Sequence, residues 1–127
     1  MSATYDDAQV MLRCGALFQE MNLGATSTWV FSEDFPTDYT EFIAAHPVGS
    51  ERFGELMRYA GFYETVATLW KHELFDEDLL LDWMLVPWDR VGGVLVGFRE
   101  DRGVPRLYEN FEALGAAQGR WDAGHRD

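Results

Sequence analysis

Two glutamates near the C-terminus have a spacing that could support chemistry. Glu109 and Glu112 lie three residues apart in the stretch RLYENFEALG, and carboxylates at this spacing share one face of a helix. Such a pair could form an acid–base dyad, or part of a di-metal site in which a glutamate precedes a histidine by three residues. No glutamate of the chain has a histidine at that spacing. We therefore interpret the pair as structural and expect an ion pair between at least one of the two glutamates and Arg99 or Arg102.

The other reactive groups also match no established catalytic or metal-binding pattern. After His72, Asp76 stands where a zinc-protease helix has its second histidine. A calcium loop that began at Asp76 would have Leu81 where glycine is needed. Cys14 lies on the apolar face of the first expected helix, where a buried cysteine is common. The sequence therefore predicts no catalytic residue, no metal ligand and no cofactor.

The charge balance excludes some classes of partner. Twenty-two acidic and ten basic residues give a formal charge of -12, which repels nucleic acid and anionic membranes and could attract a basic partner. The most apolar window, residues 79–98, is interrupted by Asp82, Pro87, Asp89 and Arg90, so we expect no membrane span. The single cysteine and the absence of a signal-peptide pattern at the N-terminus predict a soluble, cytoplasmic protein.

Hydrophobic periodicity predicts an all-α fold. Apolar residues recur every three or four positions through residues 10–21, 53–74, 88–98 and 107–114. The segment around Trp29 is ambiguous, because its propensity favours a strand that would have no partner, and we expect a short helix there. The pattern predicts a single-domain helical bundle of five or six helices over residues 1–118, followed by a loose C-terminal tail over residues 119–127.

Polar residues, prolines and glycines mark the expected helix ends. We expect Gly24 to end the first helix and Pro87 to break or kink the helix that contains it. Gly93 and Gly97, four residues apart, would let a neighbouring helix approach closely. The expected helix starts are Asp6 or Asp7, Thr37, Ser50, Asp76 and Pro105.

Several features of the C-terminal half occur together: GFYETVATLWK over residues 61–71, LFDEDLLLDWM over residues 74–84, Trp88, Arg99, and a closing LYENFE over residues 107–112. With these features the chain resembles a bacterial domain-of-unknown-function family, over about residues 35–114. The resemblance implies a helical fold. It implies no particular activity.

The aromatic content raises the possibility of an exposed binding patch. Aromatic residues make up 15% of the chain and include five tryptophans, which is more than a small core requires. One interpretation is a surface patch that binds a partner, because exposed aromatic clusters mark interfaces. The alternative is an aromatic-rich core. The candidate patch consists of Trp29, Phe31, Phe35 and Trp121.

The sequence leads to three hypotheses of function. The first is a non-enzymatic protein-protein interaction or regulatory module, with a protein partner or with self-association as a homodimer through an aromatic face or the Gly93/Gly97 face. The second is an acidic inhibitor or immunity-type protein that binds a basic enzyme through Glu33, Asp34, Asp38, Glu41 and residues 73–82. The third is a small-molecule-binding helical domain or enzyme with a pocket near Glu109, Arg99, Tyr63 or His72.

Overall fold

Seven α-helices are found in the structure, a computed structural model that describes residues 2–125. No strand occurs within these residues, so the predicted all-α class is confirmed. The predicted number of five or six helices is too low, because Pro87 separates two full helices. The segment around Trp29 is helical, as expected. The helices are α1 (Tyr5–Glu20), α2 (Leu23–Val30), α3 (Tyr39–Ala45), α4 (Glu51–Lys71), α5 (Glu77–Trp83), α6 (Trp88–Arg102) and α7 (Glu109–Gly124).

Helix α4 is the centre of the bundle. It begins after Ser50, whose hydroxyl accepts a hydrogen bond from the Phe53 amide at 3.3 Å. Its apolar residues point to more than one side of the helix, so α7 and α2 both pack against it. Its buried residues are Phe53, Leu56, Tyr59, Ala60, Phe62, Tyr63, Val66 and Ala67.

The glycines of α6 receive the start of α3. A Cβ at Gly97 would overlap the side chain of Tyr39, and a Cβ at Gly93 would lie 2.8 Å from the carbonyl oxygen of Thr37. The close neighbour that the glycine spacing predicts is therefore α3 of the same chain. Helix α3 contacts this face within the chain, and self-association through it stays a prediction.

The first helix starts and ends at residues other than those expected. Its cap is Thr4, whose hydroxyl accepts from the Asp7 amide at 3.2 Å while the Asp7 carboxylate accepts from the Thr4 amide at 2.8 Å. Asp7 is thus the third residue of the helix and completes a capping box. Asn22, in the left-handed conformation (φ 55°), makes the turn into α2. Gly24, which was expected to end α1, lies inside α2.

Two later helix starts also differ from the expected ones. Asp38 rather than Thr37 caps α3, because its carboxylate accepts from the Glu41 amide at 3.1 Å. The last helix begins at Glu109 rather than Pro105. The start at Asp76 is as expected, since its carboxylate accepts from the Leu79 amide at 3.0 Å.

The end of α7 differs from the expected loose tail. The helix continues to Gly124, so residues 119–124 are helical, and residues 126–127 lie outside the described residues. Two contacts explain the extension: the buried Gln118 amide oxygen accepts from the Val86 amide at 3.0 Å, and the Trp121 indole donates to Asp78 at 2.9 Å. The expectation of a single domain stays a prediction.

No helix within residues 2–125 combines the length and the apolar composition that crossing a membrane requires.

Asp7 also joins α1 to α5, and this contact predicts a pH dependence. Its carboxylate accepts from the Asp76 amide at 2.8 Å. Hydrogen bonds from the amides of Thr4 and then Asp76 lower the pKa of Asp7 below its ordinary value. A carboxyl whose pKa is lowered by folding adds stability above its unfolded pKa, and this stability is lost as the pH falls through the folded pKa.

We therefore expect Asp7→Asn to destabilise the protein at neutral pH, and the difference from wild type to shrink as the pH falls below about 4. Urea unfolding of both proteins at several pH values measures this difference. Asp6→Asn, which makes the same charge change in the same turn, is the matched control. A difference that stays constant down to about pH 2 would contradict the assignment.

Candidate functional site

Arg99, a residue of α6, reaches the start of α7 with its side chain. Its Nη2 donates to Glu112 Oε1 at 2.7 Å, and its Nη1 donates to the Leu107 carbonyl at 3.4 Å. The Arg99 side chain is 15% exposed and that of Glu112 is 43% exposed. A partly exposed pair of this kind contributes at most about 1 kcal/mol to stability, so it adds only modestly to the contact between α6 and α7.

Glu109 lies outside this pair. It accepts from Arg106, with Nη2 at 2.7 Å from Oε1, and this hydrogen bond lowers the pKa of Glu109. Arg102, the other arginine considered, lies 5.4 Å from the centroid of the Phe98 ring. Each glutamate of the opening pair therefore has its own arginine. Within residues 2–125 no group of three or more His, Cys, Asp or Glu side chains is placed to hold a metal ion.

The start of α7 is capped by a residue from α4. Tyr108, at the cap position, has a left-handed backbone (φ 60°) and forms no side-chain cap. Glu64 takes that role, because its Oε1 accepts from the Phe111 amide at 2.9 Å and its Oε2 accepts from the Asn110 side chain at 2.8 Å. Phe111 is fully buried and stacks on Tyr63 with 5.2 Å between ring centroids. The LYENFE stretch therefore closes the bundle. Sequence reasoning missed Glu64.

The four aromatics proposed as a surface patch do not form one. Trp29 and Phe35 are core residues, 7% and 4% exposed, with ring centroids 4.9 Å apart. Phe31 is exposed, whereas Trp121 is half-buried and donates to Asp78. Trp29 and Phe35 therefore belong to the aromatic-rich core that was the alternative interpretation.

Exposed apolar side chains occur instead around the connection between α5 and α6. Met84 has an extended backbone (φ -122°, ψ 136°), and successive side chains of an extended segment point to opposite sides. Val86 accordingly points inward, 6% exposed, while Leu85 points outward, 65% exposed, next to Trp83, 40% exposed. A residue before proline favours an extended conformation, so the sequence VP at 86–87 signals a non-helical connection here, although not which of its side chains are exposed.

An open cavity of about 350 Å³ lies between this connection and α1. We call it the Trp83 cleft. The Trp83 ring lies against Gly15, since a Cβ there would be in van der Waals contact with the ring at 3.5 Å. The cleft is lined by Gly15, Phe18, Gln19, Tyr63, Trp83, Met84 and Leu85.

The lining of the Trp83 cleft combines apolar and polar groups in nearly equal parts. Its polar side chains are Gln19 and Tyr63. Burial, and secondarily the nearby Tyr59, raises the pKa of Tyr63 far above its ordinary value, so its hydroxyl stays protonated at physiological pH. Of the four residues considered for a small-molecule pocket, only Tyr63 is among those that line this cleft; Glu109, Arg99 and His72 are not.

A second cavity lies on the other side of α1. It has a volume of about 320 Å³, and Cys14, Leu17, Phe62, Val66 and Leu69 are among the residues that line it. Burial raises the pKa of the Cys14 thiol, which keeps it protonated and therefore a poor nucleophile. Helix α1 thus lines two cavities, of which the second is the more apolar.

Acidic residues are frequent in the segment that contains Trp83. Residues 72–89 include six acidic residues and no lysine or arginine. The same segment presents the exposed apolar side chains of Leu74, Trp83 and Leu85. Glu20 follows the lining residue Gln19 in the chain, Asp82 precedes Trp83, and both are exposed. Exposed apolar side chains and an excess of negative charge therefore occur in the same part of the chain.

Comparison with known proteins identifies a domain but no activity. The family model of DUF4760, a domain of unknown function, matches residues 23–121. Helix α1 precedes the matched residues. No curated protein matches the chain, and no solved structure matches it.

Proposed function

The chain belongs to the DUF4760 family, a domain of unknown function, and from this premise we propose that it is a non-enzymatic protein-interaction module that binds its partner at the Trp83 cleft. The observation that carries the proposal is the exposure of Trp83 and Leu85 beside an open cavity. Large exposed apolar groups cost free energy in water, and a partner that covers them recovers it.

The composition of the surface supports this assignment. Tryptophan is the residue most enriched among those that dominate interface affinity, because it combines a large apolar area with few rotatable bonds. Met84, which lines the same cleft, has a flexible thioether side chain that adapts to the shape of a bound group. The polar side chains of the lining, a protonated phenol and an amide, are suited to orienting a bound segment by hydrogen bonds.

The proposal places the module in the cytoplasm, where its buried cysteine stays reduced. The bacterial origin and the family-wide LYENFE signature stay predictions based on resemblance.

A display library of short helical peptides tests the proposal. We expect selection on the wild-type protein to enrich peptides that bind the double variant Trp83→Ala/Leu85→Ser at least about tenfold more weakly, a loss of about 1.4 kcal/mol. Fluorescence anisotropy of the labelled peptides measures Kd. Both replaced residues are exposed, so the variant is expected to keep the fold, which circular dichroism checks.

The matched control removes exposed apolar groups elsewhere. Val48→Ser/Val104→Ser replaces two residues that are 52% and 46% exposed in the connections before α4 and after α6. We expect its affinity for the selected peptides to equal that of the wild type. Failure to enrich any peptide, or equal binding to the cleft variant, would rule out a binding site at the Trp83 cleft.

A further inference from the structure

We propose that the occupant of the Trp83 cleft is a basic amphipathic helix of another protein: a segment with apolar residues on one face and lysine or arginine beside that face. This inference rests on the function proposed above and specifies the chemistry of the partner. It draws on three features of the same surface, which are its apolar lining, its shape and its charged edge.

The apolar lining accounts for one face of the ligand. Phe18 and Met84 contribute partly buried apolar groups to the cleft, and Trp83 and Leu85 extend this surface to the outside. A helix that binds in a groove inserts residues from positions i, i+3 or i+4, and i+7, which form one apolar stripe. An apolar stripe is therefore the feature of a ligand that the lining would recognise.

The shape of the cleft favours side chains of a segment that lies across its opening. The absence of a side chain at Gly15 lets the Trp83 ring pack against α1, because a Cβ there would already be in van der Waals contact with the ring at 3.5 Å. The cavity of about 350 Å³ is open to the outside, with α1 on one side and the connection after α5 on the other. Apolar side chains of a bound helix could enter this opening while the helix itself stays outside it.

The charged edge accounts for the other part of the ligand. Glu20 on α1 and Asp82 on α5, which we call the charged edge, are exposed and are chain neighbours of the lining residues Gln19 and Trp83. These carboxylates would attract lysine or arginine on a bound helix and would repel glutamate or aspartate. The formal charge of -12 adds a long-range attraction for a basic partner and disfavours nucleic acid and anionic lipid as occupants.

Three synthetic peptides of about 18 residues test the inference, since this length forms about five helical turns. The first has a leucine stripe and a lysine-rich polar face, and the second has the same stripe and a glutamate-rich face. The third has the composition of the first in an order that removes the stripe. Isothermal titration at about 50 mM and about 300 mM salt measures Kd, because the screening length falls over this range.

We expect the lysine peptide to bind wild-type protein at least about tenfold more tightly than either other peptide at the lower salt concentration. Its affinity should fall several-fold at the higher salt concentration, because exposed charges are then screened. Glu20→Gln/Asp82→Asn should weaken its binding by about three- to tenfold. Glu33→Gln/Asp34→Asn, which removes the same number of exposed carboxylates elsewhere, should leave Kd within about twofold.

Three outcomes would overturn the inference. Equal binding of the lysine and glutamate peptides would show that the edge charges select nothing. Equal binding of the lysine peptide and its reordered form, or equal losses in the two charge variants, would show only a general attraction to an acidic protein. In each case the proposed function survives if Trp83→Ala/Leu85→Ser still abolishes binding of the peptides from the display library. It fails as well if no peptide depends on these two residues.

Discussion

Replacing Gly115 with alanine is expected to lower the free energy of unfolding by about 2 kcal/mol. A Cβ at this position in α7 would lie 2.5 Å from Trp88 Cβ and 2.9 Å from Trp88 Cγ. The backbone of α6 fixes the position of Trp88 Cβ, so a change of rotamer can move Cγ but cannot relieve the closer overlap with Cβ. The helices must separate instead, which also weakens the edge-on contact of Trp88 with Phe111, whose ring centroids are 5.0 Å apart.

A competing effect favours the variant, and its size decides the sign. Alanine in a helix is more favourable than glycine by about 1 kcal/mol. Overpacking of a close helix contact costs about 1–3 kcal/mol and occasionally more. The overlap at Gly115 involves the fixed Cβ of Trp88, so we expect the overpacking cost to reach the upper end of this range. This cost exceeds the gain in helix propensity, and the variant is therefore destabilised.

Gly119→Ala in the same helix separates the two effects. A Cβ at Gly119 would meet nothing within 4 Å, so this variant should gain about 0.5–1 kcal/mol from helix propensity alone. Urea unfolding of both variants and wild type gives the comparison. If Gly115→Ala proves as stable as Gly119→Ala, then Trp88 does not hold α6 and α7 at the distance described.

Glu64→Ala is expected to cost about 2–3 kcal/mol of stability, because it removes two hydrogen bonds to a charged acceptor. The amide of Phe111 would lose its partner at the start of α7, and the side chain of Asn110 would lose the other carboxylate oxygen. The loss of a negative charge at the positive end of the helix dipole acts in the same direction. Urea unfolding measures the cost, and hydrogen exchange of the Phe111 amide reports on the local contact.

Glu55→Ala is the matched control for Glu64→Ala. Glu55 lies in the same helix and pairs with Arg52 at 2.8 Å on the surface. Surface pairs contribute at most about 1 kcal/mol, so this variant should be the more stable of the two. Equal costs, or unchanged exchange of the Phe111 amide in Glu64→Ala, would refute the capping role of Glu64.

Local and periodic signals in the sequence were sufficient for the fold class. Ser50 and Asp76 begin α4 and α5 as expected, because a capping side chain bonds to an amide only three residues away. The close approach at Gly93 and Gly97 followed from their spacing, although the sequence did not identify α3 as the neighbour.

Contacts between distant residues were beyond sequence reasoning. Glu64 caps a helix whose capped amide lies 47 positions later, and no local pattern marks such a partner. Arg99 and Glu112, which the short connection between α6 and α7 made plausible partners, do meet.

The candidate site was missed for a related reason. Attention to tryptophan content singled out Trp29, but the guanidinium of Arg52 lies 4.4 Å from the centroid of its ring and helps to bury it. Exposure is decided by which side chains cover a ring in three dimensions. The exposure of Trp83 and Leu85 depends on the extended backbone after α5. The sequence shows only that the residue before Pro87 favours a non-helical conformation.

The shallow burial of α1 has a consequence for the order in which the molecule loses structure. Of its sixteen residues only Cys14 is buried, and Asn22 connects it to α2 through a single left-handed turn. Segments with few buried contacts open at a lower free energy than the whole protein, as separate cooperative units. Detachment of α1 would be such an opening, and it would dismantle one wall of the Trp83 cleft while residues 23–121 stay folded. A ligand in the cleft would contact both α1 and the connection after α5. Its binding free energy and the local folding of α1 are therefore thermodynamically linked.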